Sequence, residues 1–423
     1  MNARLTPAAL SGTLRAPTSK SDAHRALIAA ALCDSPTEII LEDMSADIQA
    51  TMDCLCHLGA ELNGTGPLYR MRPLSPRQLP SSPLLDCAES GTTLRLLLPV
   101  AAALGSMARF CGSGRLPQRP IGELVAALND NGCTFSQPQL PFSIGGALRP
   151  GSYALPGNIS SQYLSGLLLG LPLLPGDSRI VLTTALESAA YVDMTLHTLS
   201  AFGVQAELDG QGYRVPGCQK YRSPGRLRVE GDWSNAAFFL AAGALAGPIT
   251  VKGLAADSLQ GDRRICGLLR RFGAEVAERD DAATVTRRPL HGIDIDVSEV
   301  PDLFPVLAVV AAGAQGTTRL LNAARLRMKE SDRLHAVASM LIALGASALE
   351  QPDALVIEGT GILKGGMVKG CNDHRIVMAA AIASLICREP VTVSDGEAIR
   401  KSYPRFFEDF NSLGGMADVA FIG

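Results

Sequence analysis

Residues 90–105 read Ser-Gly-Thr-Thr-Leu-Arg-Leu-Leu-Leu-Pro-Val-Ala-Ala-Ala-Leu-Gly, and the organisation of the whole chain follows from this stretch. Ser and Thr at its start can accept the orphan N–H groups of a helix, and Gly105 suits the left-handed conformation that ends one. The body is apolar nearly all round, as in a helix buried within a core. One charge, Arg95, lies near the start. A buried helix whose opening turn is glycine and hydroxyls is a ready anion site, because its free N–H groups and its macrodipole both favour negative charge.

The same design recurs six times. Polar openings at Ser19-Lys20-Ser21-Asp22, Glu89-Ser90-Gly91-Thr92, Ser160-Ser161-Gln162, Trp233-Ser234-Asn235, Pro301-Asp302 and Asn372-Asp373-His374 each precede an apolar, Ala-rich run. From Ser21 through Gly91, Ser161, Ser234 and Asp302 to Asp373 the steps, by subtraction, are 70, 70, 73, 68 and 71. A second helical pattern closes each unit on Gly59, Gly132, Gly203, Gly273, Gly345 or Gly414, with steps of 73, 71, 70, 72 and 69. Two independent markers with one period mean internal repetition. Each unit is long enough for two helices and several strands.

Unit one predicts a strand over 12–16, a helix over 22–33, a strand over 38–41, a helix over 47–58 and a hairpin over 61–72 turning at Asn63-Gly64. Unit two has its helix from Gly91, a strand over 108–111 and a helix over 121–131. Unit three has a helix from Ser160, a strand over 179–182 and a helix over 193–202. Strands alternating with helices in this order indicate α/β layers. Met1 to Leu10 has no unit of its own, yet it has the right length for the strand missing at the end of unit six. The polar, turn-rich segment 217–224 is expected as a second crossing. Two domains of three units follow, one over 16–222 and the other over 1–15 plus 223–423.

Composition narrows the function. At 47% hydrophobic and 19% charged residues, the 423-residue chain is globular rather than disordered. A net charge of −3 gives no reason to expect nucleic acid or an acidic membrane. No apolar run is long enough to span a bilayer, and the N-terminus lacks the charged-then-apolar pattern of a signal peptide, so a cytoplasmic protein is expected. The ten cysteines contain no CxxC and fall largely in apolar helical runs, as reduced small hydrophobes do. No HxH, HExxH or Walker pattern is present, so no metal and no cofactor is expected.

Charges concentrate at two places per unit: the mouth of the first helix and the loop before the second. The mouths carry Lys20, Asp22, Arg25, Arg95, Asp302, Asp373, His374 and Arg375. The loops carry Arg115, Arg119, Glu187, Lys329, Glu330, Arg333, Arg400 and Lys401. Repeat geometry gathers each set at one end of its half, and two such ends would enclose a cationic cleft. Lys20, Arg25, Arg95, Arg119, Lys329, Arg333, Arg375 and Lys401 suit two small phosphorylated acids, each phosphate bringing about −1.5 to −2. Asp302 and Glu330, set among cations, would stay ionised and could move protons.

Ser19-Lys20-Ser21 with Arg25, Gly91-Thr92 with Arg95, Arg119-Pro120-Ile121-Gly122, Ser160-Ser161-Gln162, Lys329-Glu330-Ser331-Asp332-Arg333, Asp373-His374-Arg375 and Lys401 resemble the motifs of the 5-enolpyruvylshikimate-3-phosphate synthase family. The match spans essentially the whole chain, in the family order. The resemblance implies a two-domain inside-out α/β barrel of six βαβαββ repeats, three per domain. It implies transfer of the enolpyruvyl group of phosphoenolpyruvate to the 5-hydroxyl of shikimate 3-phosphate, with release of phosphate, in aromatic amino acid biosynthesis. A monomer acting on these two small molecules is expected.

By that likeness Ser21 and Arg25 hold the shikimate carboxylate, and Ser160, Ser161, Ser188 and Lys329 its phosphate. Gln162 and Tyr191 line the ring. Phosphoenolpyruvate rests on Lys20, Gly91, Arg119, Gln162, Arg333, Arg375 and Lys401, with Thr92, Arg95 and His374 in support. The implied catalytic residues are Lys20, Asp302 and Glu330. Lys20 and Asp302 also belong to the shikimate 3-phosphate site, where Asp302 draws the proton from the attacking hydroxyl. Glu330 exchanges the proton at the methylene carbon. Glu89 and Arg325 stand where the family has asparagine, and Leu96 where many members have proline.

Three other readings compete. The sister enzyme acting on UDP-N-acetylglucosamine places a cysteine five residues before its phosphate-binding arginine, where this chain has Gly114. An RNA-end cyclase would need a nucleotide-transfer histidine and a more basic surface. A non-catalytic scaffold for polyanions would have no use for Asp302 and Glu330 among the cations.

Overall fold

The structure, a computed structural model, describes residues 1–75 and 79–420. Its chain divides into two compact units, Thr18–Val229 and Met1–Pro17 with Glu230–Gly423. Among the described residues six α-helices alternate with six others along the chain. The first set is α1 (Lys20–Ala31), α3 (Gly91–Ala103), α5 (Ser161–Gly170), α7 (Trp233–Leu245), α9 (Phe304–Gly313) and α11 (His374–Ala383). These are buried almost all round; every residue of α7 is buried. The second set is α2 (Ala46–His57), α4 (Gly122–Asp130), α6 (Ala190–Ala201), α8 (Ile265–Phe272), α10 (Arg333–Ala343) and α12 (Phe406–Ser412).

Six four-stranded sheets accompany them, three to each unit. In unit three the strand Ser152–Leu155 runs parallel to Ser178–Leu182, which pairs antiparallel with Gly212–Val215, and that with Glu207–Asp209. The helices that cross between parallel strands are the apolar ones, so an Ala- and Leu-rich core of three helices lies inside its sheets. Each unit has its own hydrophobic core. This is the inside-out βαβαββ arrangement.

The outer helices end as their glycines require. Gly59, Gly132, Gly203, Gly273, Gly345 and Gly414 all adopt φ between 72° and 109°, a region costly for any residue with a Cβ. That is why the period is so legible there. The openings of the buried helices are capped by side chains of Ser19, Ser90, Ser160, Asp232 and Asp373. At α9 the pattern breaks: the residue at the cap position is Leu303, with no side-chain bond. Asp302, expected to open this helix like its counterparts, is engaged elsewhere.

Two sequence expectations are corrected. The strand expected in unit one is Gly12–Arg15, but it pairs parallel with Ile249–Lys252 in the sheet of unit four. Its place beside Thr37–Ile40 is taken by Arg226–Arg228, which follows the polar segment 217–224. The chain therefore exchanges a strand at each passage between units. The hairpin loop is also wider than an Asn-Gly turn, since its strands are Glu61–Asn63 and Leu68–Arg72. At the other end, Asn2–Thr6 lies between Val391–Val393 and Met416–Ala420, antiparallel to both. Among the described residues no helix is long and apolar enough to cross a membrane.

Candidate active site

In the unit Thr18–Val229, the sequence-predicted residues gather at the N-terminal ends of α1, α3 and α5. Lys20 opens α1 and donates from Nζ to Asp47 Oδ2 at 2.9 Å. Gly91 opens α3, and two guanidiniums crowd it: a Cβ there would stand 2.7 Å from Arg119 Nη1 and 2.8 Å from Arg95 Nη1. Only glycine leaves both arginines room beside free helix N–H groups. Arg95 donates to Gln162 Oε1 at 2.9 Å and to the Pro120 carbonyl at 2.8 Å, and its guanidinium lies 5.7 Å from the centre of the Tyr163 ring. Gln162 in turn donates to Thr92 Oγ1 at 2.8 Å. Arg95 of α3 thus ties the loop before α4, through Pro120, to Gln162 in the opening turn of α5.

Arg25 is 1% exposed. It donates to Thr195 Oγ1 at 2.8 Å, to the Ser21 carbonyl at 2.6 Å, to the Tyr191 carbonyl at 2.8 Å and to Ser165 Oγ at 3.3 Å. Burial pulls its pKa down to about 10, still a full cation at neutral pH. Ser21, Arg25 and Tyr191 are therefore brought together. Ser160 caps α5 and Ser161 is its first residue. Ser188 is buried just before α6 with φ 55°.

The other unit holds Asp302, Lys329, Glu330, Arg333, His374, Arg375 and Lys401. Arg333, with no exposed surface, donates from Nη1 to Asp302 at 2.8 Å, from Nη2 to Glu330 at 2.6 Å and from Nε to Asp373 at 3.0 Å. One buried cation thus ties three elements together. Burial alone would weaken its hold on its proton, but Asp373, Glu330 and Asp302 outweigh that and raise its pKa. Ser331 Oγ adds a bond to Asp373 at 2.9 Å. Removing one partner of so buried a group costs about 3–5 kcal/mol.

Asp302 is the most contested carboxylate. Arg375 Nη2 lies 3.4 Å from it and Lys329 Nζ 3.8 Å. Burial pushes its pKa up, yet Arg375, Lys329 and Arg333 together hold it well below the usual carboxylate range. Lys329 is pulled down to about 8, chiefly by burial. His374, 2% exposed, opens α11, and Lys401 donates to the Asn372 carbonyl at 2.6 Å.

Sequence reasoning missed two acids. Asp47 pairs with Lys20, and Asp262, 3% exposed, lies near Asp302, Arg375 and Asp232. Burial, then the charge of Asp302, raises the Asp262 pKa to about 7. The repeat period would have found both: 119 − 47 = 72 and 330 − 262 = 68 place them at the loop position already identified in units two and five. Of the family departures, Leu96 is fully buried in α3. Arg325 donates to the Ser298 carbonyl at 3.4 Å and helps depress the Lys329 pKa. Glu89 lays its carboxylate over the Cα of Gly114, whose φ is 56°. A cysteine at 114 would need a left-handed backbone and would displace Glu89. All ten cysteines are free thiols.

Repeated βαβαββ units with cations and carboxylates at the mouths of buried helices define an α/β protein built to handle small anions. The sequence profile described as EPSP synthase (3-phosphoshikimate 1-carboxyvinyltransferase) matches residues 5–410. A 3-phosphoshikimate 1-carboxyvinyltransferase of Clostridium kluyveri is 43% identical over 433 residues, covering 99% of each chain. That of Clostridium novyi is 41% identical over 99% of this chain and 98% of its own. Among solved structures, EPSP synthase from Acinetobacter baumannii aligns with a TM-score of 0.83 at 26% identity, covering 99% of this chain and 100% of that one. The enolpyruvyl transferase NikO of Streptomyces tendae, at 18% identity and a TM-score of 0.80 over 99% and 98%, shares the fold. The chain belongs to the EPSP synthase family.

Proposed function

We propose that the protein transfers the enolpyruvyl group of phosphoenolpyruvate to the 5-hydroxyl of shikimate 3-phosphate, releasing phosphate. The observation that carries the reading is Asp302, an ionised carboxylate held among Arg333, Arg375 and Lys329. A site meant only to hold anions gains nothing from a carboxylate there.

Arg333 and Arg375 grip phosphoenolpyruvate, with planar guanidinium forks suited to its carboxylate, and Lys20, Gly91, Arg119, Gln162 and Lys401 complete its seat. Shikimate 3-phosphate lies on Ser21 and Arg25 through its carboxylate, on Ser160, Ser161, Ser188 and Lys329 through its phosphate, and against Gln162 and Tyr191. As anions draw the arginines away, Asp302 loses part of what depresses its proton affinity. It then takes the 5-hydroxyl proton as that oxygen attacks C2 of phosphoenolpyruvate, while Glu330, entering the step as the carboxylic acid, delivers its proton to the methylene carbon. The tetrahedral intermediate collapses when Glu330 takes back one methyl proton, the C2–O bond to phosphate breaks, and Asp302 returns the hydroxyl proton to the departing phosphate, whose charge is met by preorganised cations. No electron acceptor and no activated water are needed.

Specificity for this acceptor over UDP-N-acetylglucosamine is supported by Gly114 beneath Glu89. The enzyme is read as a cytoplasmic monomer. The test is phosphate release from phosphoenolpyruvate with shikimate 3-phosphate and no added metal. Equal release with UDP-N-acetylglucosamine as acceptor would sink the assignment.

A further inference from the structure

Within the unit Thr18–Val229 a chain of polar side chains runs through the apolar interior, one helical turn below the charged mouth. His24 of α1 has its Nδ1 2.6 Å from Thr51 Oγ1 of α2. Thr51 Oγ1 lies 2.7 Å from Thr93 Oγ1 of α3, and Thr93 Oγ1 donates to Ser90 Oγ at 2.8 Å. Ser90 Oγ also accepts the Thr93 backbone N–H at 3.1 Å, capping α3. None of the four side chains has exposed surface. Polar groups in such a place cost free energy that alanine, valine or leucine would not, and His24 Nε2 is buried with no partner. Stability alone does not account for the chain.

Its geometry does. Lys20 and His24 are four residues apart on one face of α1, and Asp47 and Thr51 are four apart on one face of α2. The ion pair Lys20–Asp47 at 2.9 Å is thus an upper rung, and His24–Thr51 a lower rung one turn deeper. Thr93 joins the lower rung to α3 and also reaches the Asp47 carbonyl at 3.5 Å. Burial, then the charges of Lys20 and Arg25, keep the imidazole neutral. With the proton on Nδ1, donation runs in one direction from His24 through Thr51 and Thr93 to Ser90, the two threonine hydroxyls each accepting once and donating once along the chain. The group left over is then a lone pair on Nε2, less costly to strand than an N–H. Directional bonds in a low dielectric select one arrangement where apolar packing tolerates several.

We propose that His24, Thr51 and Thr93 are positioning residues that fix the opening turn of α3, Ser90 to Thr92, against the Lys20–Asp47 pair, and so set the affinity for phosphoenolpyruvate. The inference rests on the placement of phosphoenolpyruvate at Gly91 and Lys20. The test is steady-state kinetics of the full chain carrying Thr51→Val, which keeps shape and removes the hydroxyl. The expected result is a KM for phosphoenolpyruvate raised about tenfold, as for a distortion near 1.4 kcal/mol, with the KM for shikimate 3-phosphate within about twofold and recovery in Thr51→Ser. A folded Thr51→Val with an unchanged KM for phosphoenolpyruvate overturns it. So does a parallel rise in both KM values that Thr51→Ser fails to reverse. Should Thr51→Val not fold, Thr93→Val is read by the same criteria. Gly91→Ala separates the two levels. If it raises that KM and Thr51→Val does not, only this inference fails; if neither does, the substrate placement fails with it.

Discussion

Asp302 Oδ1 and Arg333 Nη1 stand 2.8 Å apart, and the same guanidinium also holds Glu330 and Asp373. The two acids assigned to proton transfer are therefore tied to a single buried cation, which fixes their mutual geometry before substrate arrives. Asp302→Asn keeps the shape and removes the proton acceptor. Turnover is expected to fall by about 10²–10⁴, while calorimetric affinity for shikimate 3-phosphate changes by no more than a few-fold. A variant retaining a tenth of wild-type turnover or more would move the base elsewhere.

Lys20 reports on the other unit. Lys20→Met removes the cation and strands Asp47, whose carboxylate is 11% exposed. Phosphate release in a stopped assay is expected to drop below detection, with the circular dichroism spectrum preserved. Asp47→Asn leaves Lys20 charged and is expected to retain measurable turnover. If the two variants behave alike, the ion pair rather than the ammonium is what matters.

Lys329 gives a pH dependence of known sign. Its folded pKa of about 8 lies below the ordinary 10.5, so between those values the unfolded chain holds a proton that the folded one has lost. Its contribution to stability therefore rises with pH across that window. Binding goes the other way, since the phosphate needs the charge. Affinity for shikimate 3-phosphate should weaken as pH passes about 8, and Lys329→Arg, which stays charged, should flatten that loss. Calorimetry at pH 7 and pH 9 decides it; equal losses in both proteins would remove Lys329 from the phosphate site.

Asp262 works in the opposite sense. With its pKa raised from 3.8 to about 7, the folded chain binds the extra proton, and the group's contribution to stability falls as pH climbs through that interval. Asp262→Asn removes the penalty. Its thermal midpoint should exceed that of the parent by more at pH 8 than at pH 5. A difference that does not change with pH would mean that the carboxyl does not titrate in this range.

What could be read from the letters follows from what repeats. The positive φ of Gly59, Gly132, Gly203, Gly273, Gly345 and Gly414 forces one residue type at one place, so the period is written plainly. The helix mouths are legible because capping needs Ser or Asp and a buried helix needs an apolar body. Strand exchange was legible only in part. The domain boundary expected after residue 15 grouped Gly12–Arg15 with the C-terminal half, where it pairs, but the boundary after 222 put Arg226–Arg228 there too, and nothing local in so short a segment tells one sheet from the other. Asp47 and Asp262 escaped for another reason: an acid near the start of a helix reads equally well as a favourable charge on the helix dipole. The link from His24 to Thr51 and Thr93 depends on packing between helices distant in sequence, which no single stretch reveals.

The strand Asn2–Thr6 has a consequence for how the molecule is made. Leu5 is set beside Val391 on one side and Ala417 on the other, so this strand has no ladder to join until the segments Val391–Val393 and Met416–Ala420 have been synthesised. Gly12–Arg15 likewise waits for Ile249–Lys252. The unit Thr18–Val229 can finish its own core as it is synthesised, whereas the other must hold Asn2–Thr6 and Gly12–Arg15 unengaged until their distant partners exist, a loop closure that is paid late and slows its folding.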